Sequence, residues 1–184
     1  MLKLFCSAIL IAMTAGVSAN LTNLSTRGYV GTGDDVLIGG LIVKEGPVTI
    51  LLRARGPSIG AAAVPSSAPL VNPALQLMGT QGLIDSNDNW GDHPLQAEIP
   101  AELAPGFALE SALVATLQPG AYTAVVSGID GSTGVGIVEA FVLGEAAGKI
   151  ENLSTRGFAG TADDVLIAGF IVEGTGSRTL TMRA

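Results

Sequence analysis

The chain has 184 residues, enough for one domain or for one domain and part of another. Its formal net charge of −7 argues against nucleic-acid binding, because phosphate recognition needs clustered Lys or Arg and the sequence has no basic run. Hydrophobic residues make up 48%, aromatic residues only 4%, and there are 25 glycines. This composition predicts short strands of Val, Ile, Leu and Ala joined by glycine turns.

The first 19 residues have the pattern of a signal peptide. Lys3 supplies a positive start, residues 4–17 an apolar run, and residues 17–19 (Val-Ser-Ala) a small-x-small cleavage pattern. A membrane anchor is the alternative, but the run is shorter than the about 20 residues that span a bilayer. We predict cleavage after Ala19, secretion to the outside or the cell surface, and no membrane span in the mature chain. Since Cys6 would be removed, the mature chain would have no cysteine.

One stretch occurs twice. Residues 23–43 read NLSTRGYVGTGDDVLIGGLIV, and residues 152–172 read NLSTRGFAGTADDVLIAGFIV; ILLRA at 50–54 is answered by LTMRA at 180–184. A repeat of this long period indicates a module used more than once. We predict a signal peptide at 1–19, a module at 20–148, and three strands of a second copy at 149–184. Because residue 184 falls inside the third strand, we expect a fragment of a longer protein; the alternative is that the second copy completes the first sheet.

Strand patterns follow one another along the whole first unit. The sequence predicts strands at 23–29, 36–43 and 48–55, a hairpin of 74–78 with 83–86, and strands at 111–117, 122–127 and 135–143. Between them, residues 87–106 form a long polar loop with a helical turn near 95–99. The expected fold is all-β, an antiparallel β-sandwich or jelly-roll-like module followed by the first strands of a second copy.

The motifs carry a resemblance. The pattern NLSTRG-x-x-GT-x-DDVLI-x-G-x-IV, followed by LLRA-x-GPS, resembles a tandem-repeat β-sandwich module of large secreted proteins of environmental bacteria. The segment NPALQLMGTQGLIDSNDNW, with LQPGAYTAVVSG, is also similar in pattern to the bacterial pre-peptidase C-terminal β-sandwich. The resemblance covers residues 23–184 and implies a non-catalytic extracellular accessory or surface module.

An acidic loop, residues 85–92, is the first candidate site. Ca²⁺ takes 6–8 oxygen ligands, and closely spaced ligands let one loop wrap the ion. The alternative is an Asx-rich turn whose side chains bond the backbone. Trp90 stands where an EF-hand needs glycine, and it is either a sugar-stacking platform or a plug for the end of the sandwich. The candidate calcium ligands are Asp85, Asn87, Asp88, Asn89 and Asp92.

Charged positions shared by the two copies form the second candidate. A charge embedded in apolar strands must be paired, because burying it alone costs several kcal/mol. We predict that Arg27 or Arg53 bonds an Asp of the turn containing Asp34 and Asp35; a second metal site at these two carboxylates is the alternative. The full predicted set of structural ion-pair residues is Arg27, Asp34, Asp35, Arg53, Arg156, Asp163, Asp164 and Arg183.

The sequence offers little for catalysis. Residues 56–60 fit G-x-S-x-G, but the nucleophile elbow needs a following helix, and residues 61–64 run directly into Pro65. With one histidine, His93, and no mature cysteine, a catalytic zinc site is also disfavoured. We therefore predict no catalytic residue at Ser58 or elsewhere, and no enzyme.

The leading hypothesis is a secreted, non-catalytic structural or interaction module for adhesion, surface assembly or an accessory role, steadied by calcium if the acidic loop binds it. Its partners would be neighbouring repeats or domains of the same chain, or a surface polysaccharide or protein. The alternative is a carbohydrate-binding accessory domain of an extracellular hydrolase, with Trp90 and the loop 87–106 as the contact. A hydrolase using Ser58 or a pair of carboxylates is the third hypothesis.

Overall fold

A computed structural model of the chain describes residues 19–183. The predicted signal peptide, with Cys6, lies outside these residues apart from Ala19. Among the residues described, no helix combines the length and the apolar character needed to cross a membrane.

The described part of the chain is built from strands and short 3-10 turns. The strands are β1 (Asn20–Val30), β2 (Leu37–Lys44), β3 (Val48–Arg55), β4 (Pro73–Gly79), β5 (Gly82–Asn87), β6 (Ser111–Leu117), β7 (Gly120–Gly128), β8 (Gly134–Val142), β9 (Lys149–Arg156) and β10 (Ile167–Glu173). The 3-10 turns are Pro57–Ile59, Ala61–Ala63, Trp90–Asp92, Gln96–Glu98, Ala101–Leu103, Ile129–Gly131 and Ala162–Asp164.

The strands form two five-stranded halves. One half has the order β5-β4-β7-β2-β9, and the other has the order β10-β1-β8-β3-β6. In the described chain the halves meet through one ladder pair between β1 and β9, Leu21 with Ile150, and through an isolated bridge from Tyr29 to Phe158 just after β9. All pairings between these strands are antiparallel, so the predicted all-β antiparallel fold is confirmed.

The two halves enclose one core of Val, Leu, Ile and Ala side chains, drawn from both halves. Strand β3 is buried on both faces from Ile50 to Ala54. Successive side chains of a strand point to opposite faces. Leu52 therefore enters the main core, while Leu51 enters a second cluster with Ile99 and Trp90, and the long polar loop folds over this second cluster. The loop predicted between residues 87 and 106 is thus packed against the sheet.

In the first copy the predicted strands agree with the observed ones to within a few residues. The second copy differs, because strands form at β9 and β10 but none is assigned over the described residues 174–183. In the first copy the equivalent strand, β3, is held between β6 and β8. Residues 149–184 contain no counterpart of β6 or β8.

The second copy adds its strands to the two halves formed by the first. Strands β1 and β2 lie in opposite halves, so the first two strands of one copy do not pair with each other. Instead β9 pairs with β2, and β10 pairs with β1. The two copies thus exchange strands reciprocally, and we call β1, β2, β9 and β10 the exchange interface.

Candidate functional site

The two ladders of the exchange interface repeat each other in register. Ile38 of β2 lies opposite Arg156 of β9, and the equivalent Ile167 of β10 lies opposite Arg27 of β1. Both ladders also shift register at equivalent points, near one end of each. The same strand-to-strand contact is therefore made twice, and the two copies are related by an approximate two-fold axis.

Two contacts between equivalent residues mark this axis. Leu21 pairs with Ile150, its counterpart in the second copy, and both side chains are buried. Tyr29 forms a backbone bridge to its counterpart Phe158, and their rings meet edge-to-face with centroids 6.1 Å apart. Such an aromatic pair adds about 0.5–1.5 kcal/mol beyond its buried area.

Small residues of the repeat allow the close approach. A Cβ built on Gly28 would lie 2.8 Å from Leu166 Cδ1, and one built on Gly157 would lie 2.9 Å from Leu37 Cδ1. Real Cβ contacts are not that short, so a larger residue at either glycine would push a leucine of the other strand away. Each of the two glycines thus makes room for a leucine of the other copy.

The arginines of the repeat also cross between copies. Arg27 donates to the main-chain carbonyl of Asp163 (3.0 Å), and Arg156 donates to that of Asp34 (3.2 Å). The prediction was that Arg27 or Arg53 bonds an Asp of the turn containing Asp34 and Asp35, but Arg27 instead bonds the main chain of the equivalent turn in the second copy. In the described chain no carboxylate of Asp34, Asp35, Asp163 or Asp164 forms an ion pair. The reason is topological, since the exchange brings the turn of the other copy to each arginine.

Arg53 forms a different ion pair from the predicted one. Its guanidinium donates to the Glu139 carboxylate on the neighbouring strand, with Nη2 2.6 Å and Nε 3.0 Å from Oε2. The guanidinium carbon also lies 4.7 Å from the centroid of the Phe141 ring, and Nη1 donates to the Leu103 carbonyl. Arg53 thereby links β3, β8 and the loop over the second cluster. Its counterpart Arg183 is exposed.

A charged cluster closes one end of the β2–β9 ladder. Lys44 Nζ lies 2.5 Å from Glu151, and Lys149 contacts both Glu45 and Glu151. The hydrogen bond to Glu45 is the main cause that raises the pKa of Lys149, with a further contribution from Glu151. The hydrogen bond from Lys44 is the main cause that lowers the pKa of Glu151.

Two candidate calcium ligands of the acidic loop, Asp85 and Asn87, use their side-chain oxygens in hydrogen bonds within the protein. Asp85 accepts from Ser86 N–H at 2.8 Å and pairs with the nearly buried His93 at 3.0 Å. Asn87 Oδ1 accepts from Ala112 N–H at 3.1 Å, and its amide donates to Asn89 O. In the described ranges, no group of three or more His, Cys, Asp or Glu is placed to hold a metal ion. These contacts fit the Asx-turn alternative better than a cation cage, and the calcium site stays a prediction.

Of the remaining candidate ligands, Asn89 is half-buried and the two carboxylates lie toward solvent. Asp88 and Asp92 are exposed, and Asp92 ends the 3-10 turn that begins at Trp90. Trp90 itself packs against the second cluster and also borders an open groove of about 330 Å³. Phe107, 52% exposed, faces the same groove. Sequence reasoning missed Phe107, although an aromatic residue after Pro105 and Gly106, just beyond the polar loop, was a usable signal.

Ser58 belongs to a structural turn. Its Oγ accepts from Arg55 Nε at 2.8 Å, while the amides of Gly56 and Ser58 donate to the buried carboxylate of Glu110 at 3.1 and 2.9 Å. Ser58 lies in the short 3-10 turn Pro57–Ile59, and a second short 3-10 turn, Ala61–Ala63, follows in place of the helix that a nucleophile elbow requires. Glu110 therefore organises the turn after β3, a role that its position in the sequence did not indicate.

The geometry identifies two features that can act on another molecule: the exchange interface with the outer edges of β9 and β10, and the groove beside Trp90 and Phe107. Searches of known families and of curated proteins give no match for the chain, in either family models or individual sequences.

Proposed function

We propose that the chain is a non-catalytic secreted module of structural or interaction type, for cell-surface, adhesion or accessory use, whose repeats are joined by exchanged strands. The observation that carries the proposal is the pair of matching ladders, β1 with β10 and β2 with β9. A joint of this kind consists of backbone hydrogen bonds and buried apolar side chains, so it resists bending and pulling better than a flexible linker.

The joint also explains why the repeat has the residues it has. Gly28 and Gly157 leave space for leucines of the opposite copy, and Arg27 and Arg156 tie each strand to the turn of the opposite copy. These four residues make their contacts with the other copy, as expected for a module that is joined to neighbouring modules. The predicted signal peptide supports the secreted location, and the neighbouring repeats are the proposed partners.

Hydrogen exchange in increasing urea tests the joint in residues 20–184. Amides of β9 and β10 that bond to β2 and β1 should exchange only through the opening that also exposes the core strands, because the ladders and the core form one cooperative unit. The Trp90 fluorescence transition should coincide with that opening. If β9 and β10 exchange freely while the first copy stays folded, the second copy is not a structural joint and the proposal fails.

Carbohydrate binding is the second candidate, favoured by the groove between Trp90 and Phe107. Aromatic faces beside polar groups such as Asn89 and Asp92 suit the alternating apolar and hydroxylated surfaces of sugars. Phe107→Ala is the sharper variant, since this side chain is half-exposed and supports little of the core. Phe158→Ala, at an aromatic residue of similar exposure (48%) in the second copy, is the matched control.

Polysaccharide pull-down separates the two candidates. Sugar binding predicts retention of the unaltered chain and of Phe158→Ala, with loss of retention for Phe107→Ala and for Trp90→Ala. Equal retention of all four proteins would place binding elsewhere, and a chain that no polysaccharide retains would leave the structural module as the better description.

A further inference from the structure

The second copy exposes side chains whose counterparts in the first copy are buried. Leu41 is 4% exposed, whereas its counterpart Phe170 is 42% exposed; Val43 is 1% exposed, whereas Val172 is 36% exposed. The whole of β10 follows this trend, because nearly all of its residues are exposed. An apolar strand in solvent is a surface that a protein normally covers.

The first copy indicates what covers these strands. Strand β2 pairs through its second edge with β7, and β1 pairs through its second edge with β8. In the described structure β10, the counterpart of β2, pairs only with β1. Within residues 19–183, apart from the Leu21–Ile150 pair, β9, the counterpart of β1, pairs only with β2. Both free edges lie where an equivalent of β7 and an equivalent of β8 would continue the sheets.

We propose that the free edges of β9 and β10 dock a second module body, a polypeptide with the strands of residues 48–142, such that its β7-type strand pairs with β10 and its β8-type strand pairs with β9. This inference rests on the proposed structural role and names the partner of the joint. The completed assembly has two bodies related by the two-fold axis that already relates the exchanged strands.

The approximate symmetry fixes the register of docking. In the first copy Leu41 lies opposite Tyr122, and Ser25 lies opposite Glu139. Phe170 should therefore lie opposite the second body's equivalent of Tyr122, and Ser154 opposite its equivalent of Glu139. Residues 23–43 and 152–172 are identical at 16 of 21 positions, and the five differences keep small or apolar residues, so the second copy retains the surface that a body recognises.

The edge of β10 also lacks the usual protection against pairing. Natural edge strands carry lysine, proline or inward-pointing charges that block the addition of another strand. Residues 167–173 read IAGFIVE, with a single charge at the last position. A strand of this composition is suited to being covered, and the internal repeat specifies that the cover is another body of the same kind.

An extended protein tests the docking directly. Because Ala184 is the counterpart of Ala54, residues 55–148 are repeated after Ala184 in a chain that starts at residue 20. Hydrogen exchange is then compared between the extended chain and residues 20–184. We expect the amides of β9 and β10 that point away from β2 and β1 to exchange at least about tenfold more slowly in the extended chain, because the new ladders protect them.

Each outcome decides the proposal. Unchanged exchange at these outer amides in an extended chain whose added residues are folded overturns it. If the added residues do not fold, a second extended chain carries the first-copy residues at the five differing positions. If the added residues fold only in the chain with the five substitutions, the native second copy does not dock a body. If they fold in neither extended chain, β9 and β10 cannot dock a body.

The same data separate this inference from the proposed function. The inner amides of β9 and β10, which bond to the first copy, report on the joint in residues 20–184. Protected inner amides with unaffected outer amides refute the docking of a second body and leave the joint intact. Unprotected inner amides refute the joint itself.

Discussion

A disulfide between Gly40 and Ser154 would test the strand exchange on which the proposals depend. A Cβ built on Gly40 lies 3.7 Å from the Cβ of Ser154 across the β2–β9 ladder. Disulfides join residues whose Cβ atoms are about 3.5–4.5 Å apart. Gly40 does not have a left-handed φ, so its backbone accepts a cysteine. The double variant Gly40→Cys/Ser154→Cys should therefore oxidise without moving either strand.

The expected stabilisation follows from the length of the closed loop. The bridge spans 114 residues from position 40 to position 154. Chain entropy predicts about 4.7 kcal/mol for a loop of roughly 100 residues, and engineered bridges commonly deliver about 2–4 kcal/mol. With about 2–4 °C per kcal/mol for a chain of this size, the oxidised variant should melt about 4–16 °C higher than its reduced form.

The repeat supplies a matched control. Ser25 is the first-copy counterpart of Ser154, so the variant Gly40→Cys/Ser25→Cys places the same two residue types where they would pair if each copy kept its own strands together. In the observed topology Ser25 lies opposite Gly169 of β10 and Glu139 of β8, in the half that does not contain Gly40. The control should remain reduced within the monomer.

The assay uses residues 20–184, which contain no native cysteine because the one cysteine of the chain is Cys6. Dilute protein is oxidised, and the intramolecular bridge is read as a mobility shift on a non-reducing gel, a mass loss of two hydrogens, and a reductant-sensitive melting temperature. An intramolecular bridge in the control and none in Gly40→Cys/Ser154→Cys would show that the strands are not exchanged, and the topology-based reasoning would be wrong.

Three further predictions concern charge and metal. Arg53→Met should cost about 3 kcal/mol in urea denaturation, since it leaves the largely buried carboxylate of Glu139 with only the longer contact, 3.7 Å, to Arg55. Lys44→Met, at an exposed pair, should cost less than about 1 kcal/mol, and equal losses in both would refute the distinction. Because the pKa of Glu151 is lowered by folding, its contribution to stability is present above its unfolded pKa and is lost as pH falls through the folded value. Glu151→Gln should therefore weaken the fall of the melting temperature at acidic pH, measured at low salt. An unchanged fall would show that other groups cause the loss of stability in acid. EDTA should leave the melting temperature unchanged, because the side-chain oxygens of Asp85 and Asn87 already accept hydrogen bonds from backbone amides. A lower melting temperature in EDTA would instead support the calcium site.

Strand positions were accessible from the sequence because each strand is a local pattern. Alternation and glycine turns place β4 and β5 as a hairpin, and the unbroken apolar run of β2 marks a strand in the core. Partners of charged residues were not accessible in this way. Arg53 finds Glu139 at a sequence distance of 86 residues, and no local pattern distinguishes that carboxylate from Asp34 or Asp35.

The candidate binding residues were recovered in part for a similar reason. Trp90 is a candidate from the sequence because it is the one tryptophan of the chain. Phe107 becomes a candidate only in the folded chain, where it lines the same groove as Trp90. The acidic loop shows the converse. The spacing of its oxygen atoms is compatible with a cation, yet two of these oxygens accept hydrogen bonds in the folded chain, from the backbone amides of Ser86 and of Ala112 in β6.

The exchange of strands could not be read from the repeat, because the repeat makes two pairings equivalent in sequence. Strand β2 meets the same NLSTR segment whether its partner is β1 or β9. The geometry of the connection decides between them. The turn after β1, closed by the Gly31 N–H to Asp35 carbonyl bond at 2.7 Å, carries the chain across to the opposite half, and the turn after β9 does the same with a bond of 2.8 Å between Gly160 and Asp164. Because the chain crosses to the opposite half between β1 and β2, and again between β9 and β10, these consecutive strands do not pair with each other. The edge of β1 is therefore open to β10, and the edge of β9 is open to β2. The turn GT-x-DD, whose carboxylates suggested a second metal site, is thus the element that directs the two copies to exchange strands.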